Sequence, residues 1–160
     1  MNTLFSIIVI GIGATVLMDL WAIVRKSLWG IPTLNYAMVG RWLAHILNGQ
    51  FHHHSIIDSP QIPGEKIIGW AAHYLTGIAF AVILVALFGL PWLQQPTIGP
   101  ALFVGISTAV IPFFIMQPAM GAGIAACKTA KPHSARLQSL ITHAVFGFGL
   151  YFSGWTLQLF

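Results

Sequence analysis

Charge is what this sequence has least of. Its 160 residues include seven Lys or Arg and three Asp or Glu, so only 6% are charged. Soluble domains carry about 25% charged residues. So few charges cannot cover a globular surface in water, and 57% of the residues are hydrophobic. The composition therefore predicts an integral membrane protein whose main partner is the lipid bilayer.

Cysteine is almost absent too, and its scarcity excludes further classes. Cys127 is the single cysteine, so neither an intrachain disulfide nor CxxC redox chemistry is available. The formal net charge is +4, but the basic residues stand singly or in pairs at the ends of apolar runs. Nucleic-acid binders group such residues in a patch or stripe, so no nucleic-acid partner is expected. No phosphate loop, nucleophile elbow or HExxH motif is present.

Long apolar runs dominate what is present. Four are long enough to cross a membrane as helices: 4–26, 67–90, 98–119 and 137–159. The first has no basic region before it and no small-residue cleavage site after it, so it is interpreted as a retained span. Pro112 should kink the third helix. The predicted fold is all-α, a single transmembrane four-helix bundle over residues 1–160.

The cytoplasmic-side connection 30–65 is too polar and broken to span. Within it, Tyr36–Leu47 has the spacing of an amphipathic interfacial helix, with Arg41 and Trp42 suited to the headgroup level. The alternative is a short connecting helix packed on the protein itself. Three consecutive histidines, His52 to His54, follow. In an extended chain they point to alternate sides, which favours a polar loop over a metal site.

The distribution of basic residues predicts the topology. All seven lie in the first and third connections or at the span end that opens the first one, and none lies in the second connection or the tails. By the positive-inside rule, both termini are non-cytoplasmic and the two basic connections are cytoplasmic.

A histidine flanked by small residues occurs twice on a helical stripe. The stripe at Gly69, His73, Gly77 and Ala81 returns seventy residues later as Ser139, His143, Gly147 and Tyr151. Four-residue spacing places each set on one helix face. The repetition suggests two related helices that meet around a polar site, and it hints at an internal duplication.

Each predicted span carries one hydrogen-bonding side chain at a similar depth. Asp19 lies six residues from Arg25, or roughly 9 Å along a helix, and His73 and His143 lie roughly 10 Å from the nearest basic residue. Gln117 is near the same end of its helix. These four residues are predicted to form one polar cluster in the cytoplasmic leaflet, with Arg41, His53 and Glu65 at its mouth.

Three interpretations of this cluster stay open. Its members could bond to one another and only fix the helix positions. They could form a ligand, substrate or proton site, since intramembrane ionisable groups are functional candidates and histidine titrates near neutral pH. They could also hold a metal through Asp19, His73 and His143. No particular cofactor is indicated.

Five segments together resemble one known family. They are GIGATVLMDLW (11–21), IPTLNYAMVGRW (31–42), GEKIIGWAAHYLTGIAFA (64–81), MQPAMGAGIAA (116–126) and SLITHAVFGFGLY (139–151). With them the chain resembles the bacterial membrane family called domain of unknown function 2938 over nearly its whole length. The resemblance implies a small, multi-pass protein of the bacterial inner membrane. It implies no activity, cofactor or catalytic residue.

The function predicted on these grounds is the binding or transport of a small molecule. Asp19 would be the charge or proton acceptor, His73 and His143 the titratable partners, and Gln117 a hydrogen-bond donor. Four helices enclose little volume, so a transporter of this size would work as a homodimer. The alternatives are a membrane enzyme that uses the Asp and His residues, with or without a metal, and a structural or assembly subunit without a ligand.

Overall fold

The structure, a computed structural model, describes residues 2–159, and every regular element in that range is helical. This confirms the predicted all-α class. In chain order the elements are α1 (Thr3–Trp29), α2 (Tyr36–Leu47), α3 (Glu65–Phe88), α4 (Pro91–Gln94), α5 (Ile98–Ser107), a π-helix (Pro112–Met116), α6 (Gln117–Ala119), a 3-10 helix (Ile124–Ala126) and α7 (Pro132–Leu157).

Three helical regions among the described residues are long and apolar enough to cross a membrane. They are Thr3–Trp29, Glu65–Phe88 and Ile98–Ala119. Their length and composition indicate a membrane protein. Helix α7 has 26 residues but is not one of the three. Its first part is polar, with Arg136, Gln138 and Ser139 in a row of four.

Local signals in the sequence explain where α1 begins and ends. The Asn2 side chain caps its first turn by accepting the Leu4 amide at 2.9 Å. Gly30 ends it with a left-handed backbone (φ 65°), and its amide donates to the Lys26 carbonyl at 3.0 Å. The end comes two residues before Pro32.

The predicted kink at Pro112 is confirmed. Helix α5 ends at Ser107, and a five-residue π-helix begins at Pro112. Proline has no amide proton and its ring collides with the carbonyl four residues earlier, so a regular α-helix cannot continue through it. The third apolar region is therefore a broken helix, not a straight one.

Within the described residues the chain divides into two compact units. Unit 1 contains residues 2–33, 74–108 and 140–159, and unit 2 contains residues 34–73 and 109–139. Unit 1 has an apolar core of fully buried side chains, the largest of which are Ile10, Leu84, Val104 and Leu150.

Glycine contacts bring the helices of unit 1 together in pairs. A Cβ atom on Gly11 would lie 2.9 Å from the Gly77 carbonyl oxygen, so α1 and α3 approach closely there. A Cβ atom on Gly105 would lie 2.6 Å from the Gly147 amide nitrogen, which gives α5 and α7 the same relation. Small residues allow membrane helices such close approach. Gly77 and Gly147 are the glycines one turn after the two repeated histidines.

Unit 2 is built on α2, whose bounds agree with the predicted helix. It packs against the first turns of α3, since a Cβ on Gly69 would overlap the Tyr36 carbonyl. Arg41 and Trp42 are buried, with 5% and 8% of their surface exposed. Their burial agrees with the alternative interpretation, a connecting helix packed on the protein itself.

The chain after α2 is held against the end of α6 by two backbone hydrogen bonds. The His53 amide donates to the Ala119 carbonyl at 2.8 Å, and the Ile56 amide to the Met120 carbonyl at 3.1 Å. His53 is buried, while His52 and His54 are exposed. The predicted alternation of the three histidines is thus confirmed.

Candidate functional site

Asp19 is joined to a neighbouring helix by a tyrosine. The Tyr74 hydroxyl on α3 donates to Oδ2 of Asp19 on α1 at 3.0 Å. Both side chains are half-buried in unit 1. Tyr74 was not among the predicted site residues, although it directly follows His73.

Arg25 is also held inside unit 1 instead of lying at an exposed helix end. Only 7% of its surface is exposed, and Nη1 donates to Oγ1 of Thr142 on α7 at 3.3 Å. The neighbouring Lys26 is exposed. The two basic residues at the end of the first apolar run therefore differ. Arg25 is buried and bonds to α7, whereas Lys26 is exposed at the surface.

The hydrogen bonds around His143 assign its tautomer. The Thr108 hydroxyl donates its one proton to the Gly105 carbonyl at 2.6 Å, so Thr108 Oγ1 can only accept from His143 Nδ1 at 3.0 Å. The same carbonyl lies 3.2 Å from Nδ1 and also can only accept. Nδ1 therefore carries the proton in the neutral ring, and Nε2 carries the lone pair.

Helices α5 and α7 approach closely enough for the His143 ring to reach Thr108 and the Gly105 carbonyl. A Cβ on Gly105 would lie 2.7 Å from the His143 carbonyl oxygen, and one on Gly147 would lie 2.8 Å from the Ala101 carbonyl oxygen. Because no side chain separates the two helices, the imidazole reaches the backbone of α5. The small residues that the sequence places beside this histidine thus have a structural function.

Three hydrogen bonds consequently connect four helices of unit 1, and we call them the unit 1 polar contacts. Asp19–Tyr74 joins α1 to α3, Arg25–Thr142 joins α1 to α7, and His143–Thr108 joins α7 to the end of α5. In each, an ionisable side chain meets a hydroxyl from another helix. A hydroxyl both donates and accepts, so it suits a partner in more than one protonation state.

His73, the predicted counterpart of His143, belongs to unit 2. Its Nε2 lies 2.9 Å from the Tyr36 hydroxyl, and the two rings are tilted by 30° with centroids 4.2 Å apart. Trp70 packs on the same tyrosine ring at 4.5 Å. Like His143, His73 has a hydroxyl partner on another segment, Tyr36 in this case. Unlike His143, it packs in a cluster of aromatic rings.

Gln117 is in unit 2 as well. It opens the short helix α6, and its Oε1 atom is buried with no hydrogen-bond partner among the described residues. Buried side-chain oxygens usually have a partner, so this atom needs one from water or a ligand.

Arg41 and Glu65, predicted at the mouth of the site, form an ion pair in which Arg41 is buried and Glu65 is half-buried. Nε and Nη2 of Arg41 donate to the two carboxylate oxygens at 2.8 and 2.9 Å. Nη1 donates to three carbonyls of the connection, those of Ile56, Ile57 and Ser59. The hydrogen bonds that Arg41 donates to Glu65 raise the pKa of Arg41, so this guanidinium is charged, and it holds the connection.

His53, the third predicted mouth residue, pairs with another histidine. His45 Nδ1 and His53 Nε2 are 2.7 Å apart, and both rings are buried. His45 on α2 was not predicted as a site residue. Its position four residues after Arg41, on the same face of α2, was the available signal.

The four residues of the predicted cluster thus fall in two units, with Asp19 and His143 in unit 1 and His73 and Gln117 in unit 2. A single cluster of all four stays a prediction. Among residues 2–159, no three His, Cys, Asp or Glu side chains are grouped so that they could hold a metal ion. This finding gives no support to a metal site formed by Asp19, His73 and His143.

Comparison with known proteins gives one match. The family model described as "Protein of unknown function (DUF2938)" matches residues 8–157, nearly the whole chain. No curated protein and no solved structure gives a significant match.

Proposed function

The chain belongs to the DUF2938 family, and on that premise we propose that it binds or transports a small molecule in the bacterial inner membrane. The family supplies no activity, so the proposal rests on the site itself. We place the site in unit 1, at Asp19 and His143. His73 and Gln117 stay predicted members of a larger site.

The proposed topology has four spans, with α7 as the fourth. Helix α7 is long enough to cross, and its polar first turns follow the basic residues Lys128 and Lys131. With four spans, every basic residue lies in the first or third connection or in the helix end beside it, which supports cytoplasmic connections and non-cytoplasmic termini. Asp19 and His143 then lie in the cytoplasmic leaflet.

One observation carries the functional proposal: the hydrogen bonds of His143 leave its lone pair on Nε2. Nδ1–H is held by Thr108 and Gly105, so the ring cannot offer that nitrogen to a ligand. Nε2 is free of the proton and can accept one, or can accept a hydrogen bond from a ligand.

Asp19 supports the same proposal. An acid at the centre of a membrane helix costs about 2.5–3.5 kcal/mol on insertion scales, and such residues mark functional sites by default. Here its carboxylate accepts a hydrogen bond from the Tyr74 hydroxyl of α3. In the proposed mechanism Asp19 and His143 accept protons or hydrogen bonds from the bound molecule, and the protein acts as a homodimer.

The test measures proton movement coupled to a solute. The purified protein is reconstituted in liposomes that contain a pH-sensitive dye, and single small cations, anions and neutral solutes are added outside. We expect one solute class to change the internal pH with wild-type protein, and Asp19→Asn or His143→Gln to reduce that rate at least tenfold. Asp58→Asn and His133→Gln are matched controls, because both residues are exposed.

The alternatives give different results. If wild-type liposomes behave as empty liposomes with every solute, transport is excluded. If Asp19→Asn and His143→Gln instead only lower the stability of the protein, the polar contacts are structural and the scaffold alternative is favoured. A solute that is chemically changed, not moved, would favour the enzyme.

A further inference from the structure

An open cavity lies at the end of unit 1 that is opposite to Asp19 and His143. Its volume of about 390 Å³ falls within the range of about 300–1,000 Å³ that is typical of small-molecule sites. The start of α1, the turn that contains α4 and the end of α7 form its walls. All three belong to unit 1, so the cavity lies within one compact unit.

The wall that α4 forms is fixed to the rest of unit 1. Trp92 of α4 is buried in the apolar core, and its indole N–H donates to the Thr97 carbonyl at 3.1 Å. A Cβ atom on Gly154 would lie 3.1 Å from the Trp92 ring, so α7 packs directly against α4. Directly after α7, Gln158 Nε2 donates to the Leu93 carbonyl at 2.5 Å. The cavity therefore has a preformed shape, as ligand sites usually do.

Hydroxyl and amide groups supply the polar part of the lining. Ser6 is buried, and its hydroxyl donates to a main-chain carbonyl at 3.3 Å, so its oxygen can still accept a hydrogen bond. Gln158 uses its amide nitrogen on α4, which leaves its side-chain oxygen as an acceptor. Thr3 and Gln94 are exposed and carry both donors and acceptors. Three leucines complete the lining with apolar surface.

The lining favours an uncharged ligand. None of the described residues that line the cavity is ionisable. Asp19 lies thirteen residues after Ser6 on α1, roughly 20 Å along the helix, and Ile10 between them is fully buried. His143 and Leu157 are separated on α7 by a similar length. An ion that left water for this cavity would meet no opposite charge, and such a transfer is costly.

We propose that this cavity binds one small uncharged molecule that carries hydroxyl or amide groups on an apolar body. The hydroxyl and amide side chains would bond to its polar groups, and the leucines would pack against the rest of the molecule. The site is separate from Asp19 and His143, and it does not rest on the function proposed for them.

The test measures the binding of hexanamide, hexanoate and hexylammonium. These probes have the same chain length and are neutral, anionic and cationic at neutral pH. Binding to the full chain in lipid nanodiscs is followed by saturation-transfer NMR, and empty nanodiscs correct for partition into lipid. We expect saturable binding of hexanamide to the wild-type protein. Both ions should bind at least about tenfold more weakly, because the lining offers them no counter-charge.

Gln94→Leu should weaken the binding of hexanamide by about fivefold to tenfold, the effect of losing one hydrogen bond. Gln95→Leu is the matched control, since Gln95 is the next residue and is exposed but does not line the cavity. Gln94 is exposed as well, so its substitution leaves the core intact. Asp19→Asn should leave hexanamide binding unchanged.

Several results would overturn the proposal. One is that hexanamide binds no better to nanodiscs with protein than to empty ones, and another is that either ion binds as tightly as hexanamide. Equal effects of Gln95→Leu and Gln94→Leu would also contradict it. Loss of hexanamide binding in Asp19→Asn would assign the probe to the Asp19 site instead. Hexanamide binding that persists when the liposome transport assay fails supports this cavity and contradicts only the transport proposal.

Discussion

Tyr74 donates its hydroxyl proton to Asp19 across the α1–α3 contact, over 3.0 Å. The bond gives the acid within the first apolar run a partner on another helix. Arg25 and His143 of the same unit are also paired with hydroxyls, those of Thr142 and Thr108. Each of these three ionisable side chains of unit 1 thus has a hydroxyl group of another helix as a hydrogen-bond partner.

Tyr74→Phe should lower the stability of the protein modestly. The ring and its packing remain, and the hydroxyl that donates to Asp19 is lost. Side-chain hydrogen bonds between membrane helices average about 0.6 kcal/mol and reach about 1.7 kcal/mol. The free energy of unfolding in a detergent titration should fall within that range. Tyr151→Phe is the control. If it lowers the free energy of unfolding as much as Tyr74→Phe does, the hydrogen bond to Asp19 is not the cause of the loss.

Gly69→Ala should damage the packing of α2 on α3. The added methyl group would overlap the Tyr36 carbonyl, which is backbone and cannot rotate away. Overpacking of this kind costs about 1–3 kcal/mol or more. Gly99→Ala is the matched control, because nothing lies within 4 Å of its Cβ position. The midpoint of thermal unfolding should be lower for Gly69→Ala than for Gly99→Ala. Equal midpoints would contradict the close contact between Gly69 and the Tyr36 carbonyl.

Breaking the Arg41–Glu65 pair should destabilise unit 2 strongly. Arg41→Met leaves the Glu65 carboxylate without its partner and releases three carbonyls of the connection. Removing one member of a buried pair costs about 3–5 kcal/mol. The double variant Arg41→Met/Glu65→Leu should lose less than either single variant. A loss below about 1 kcal/mol in Arg41→Met would mean that the pair behaves as a surface pair.

Acid should weaken the attachment of the connection to α6. Burial lowers the pKa of His53 below its ordinary value of 6.5, and the neighbouring His45 lowers it further. Below about pH 6.5 the unfolded chain therefore binds more protons at this position than the folded one, and stability falls as the pH decreases. Unfolding free energies measured from about pH 7.5 to 5 should show this slope. His53→Gln should flatten the slope and His54→Gln should leave it, while a slope unchanged in His53→Gln would exclude His53 as its source.

Local features of the fold could be predicted from the sequence because each has a local cause. The break at Pro112 follows from a missing amide proton, and the bounds of α2 follow from its apolar spacing and the polar residues beside it. The alternation of His52, His53 and His54 follows from extended backbone geometry. None of these requires knowledge of a distant contact.

The partners of the site residues could not be predicted in the same way. Tyr74 and Thr108 resemble the many other hydroxyl residues in apolar runs, and only the glycine contacts bring them to Asp19 and His143. The spacing of apolar residues in α2 predicts an apolar and a polar face, but not which face is buried. The sequence therefore predicts Arg41 and Trp42 at the level of the lipid headgroups, whereas both are buried in the protein. The side that α2 presents to α3 is decided by Gly40 and Gly69, whose contacts are long-range.

His143 offers Nε2 as an acceptor only if Nδ1 carries the proton, and ¹⁵N NMR of the histidine ring tests this directly. Selectively labelled protein at neutral pH should show His143 with Nδ1 protonated and Nε2 unprotonated. Thr108→Val should lower the fraction of this tautomer, since only the 3.2 Å contact to Gly105 remains, and Thr108→Ser should preserve it. A His143 signal with the proton on Nε2, or one unaffected by Thr108→Val, would contradict the account.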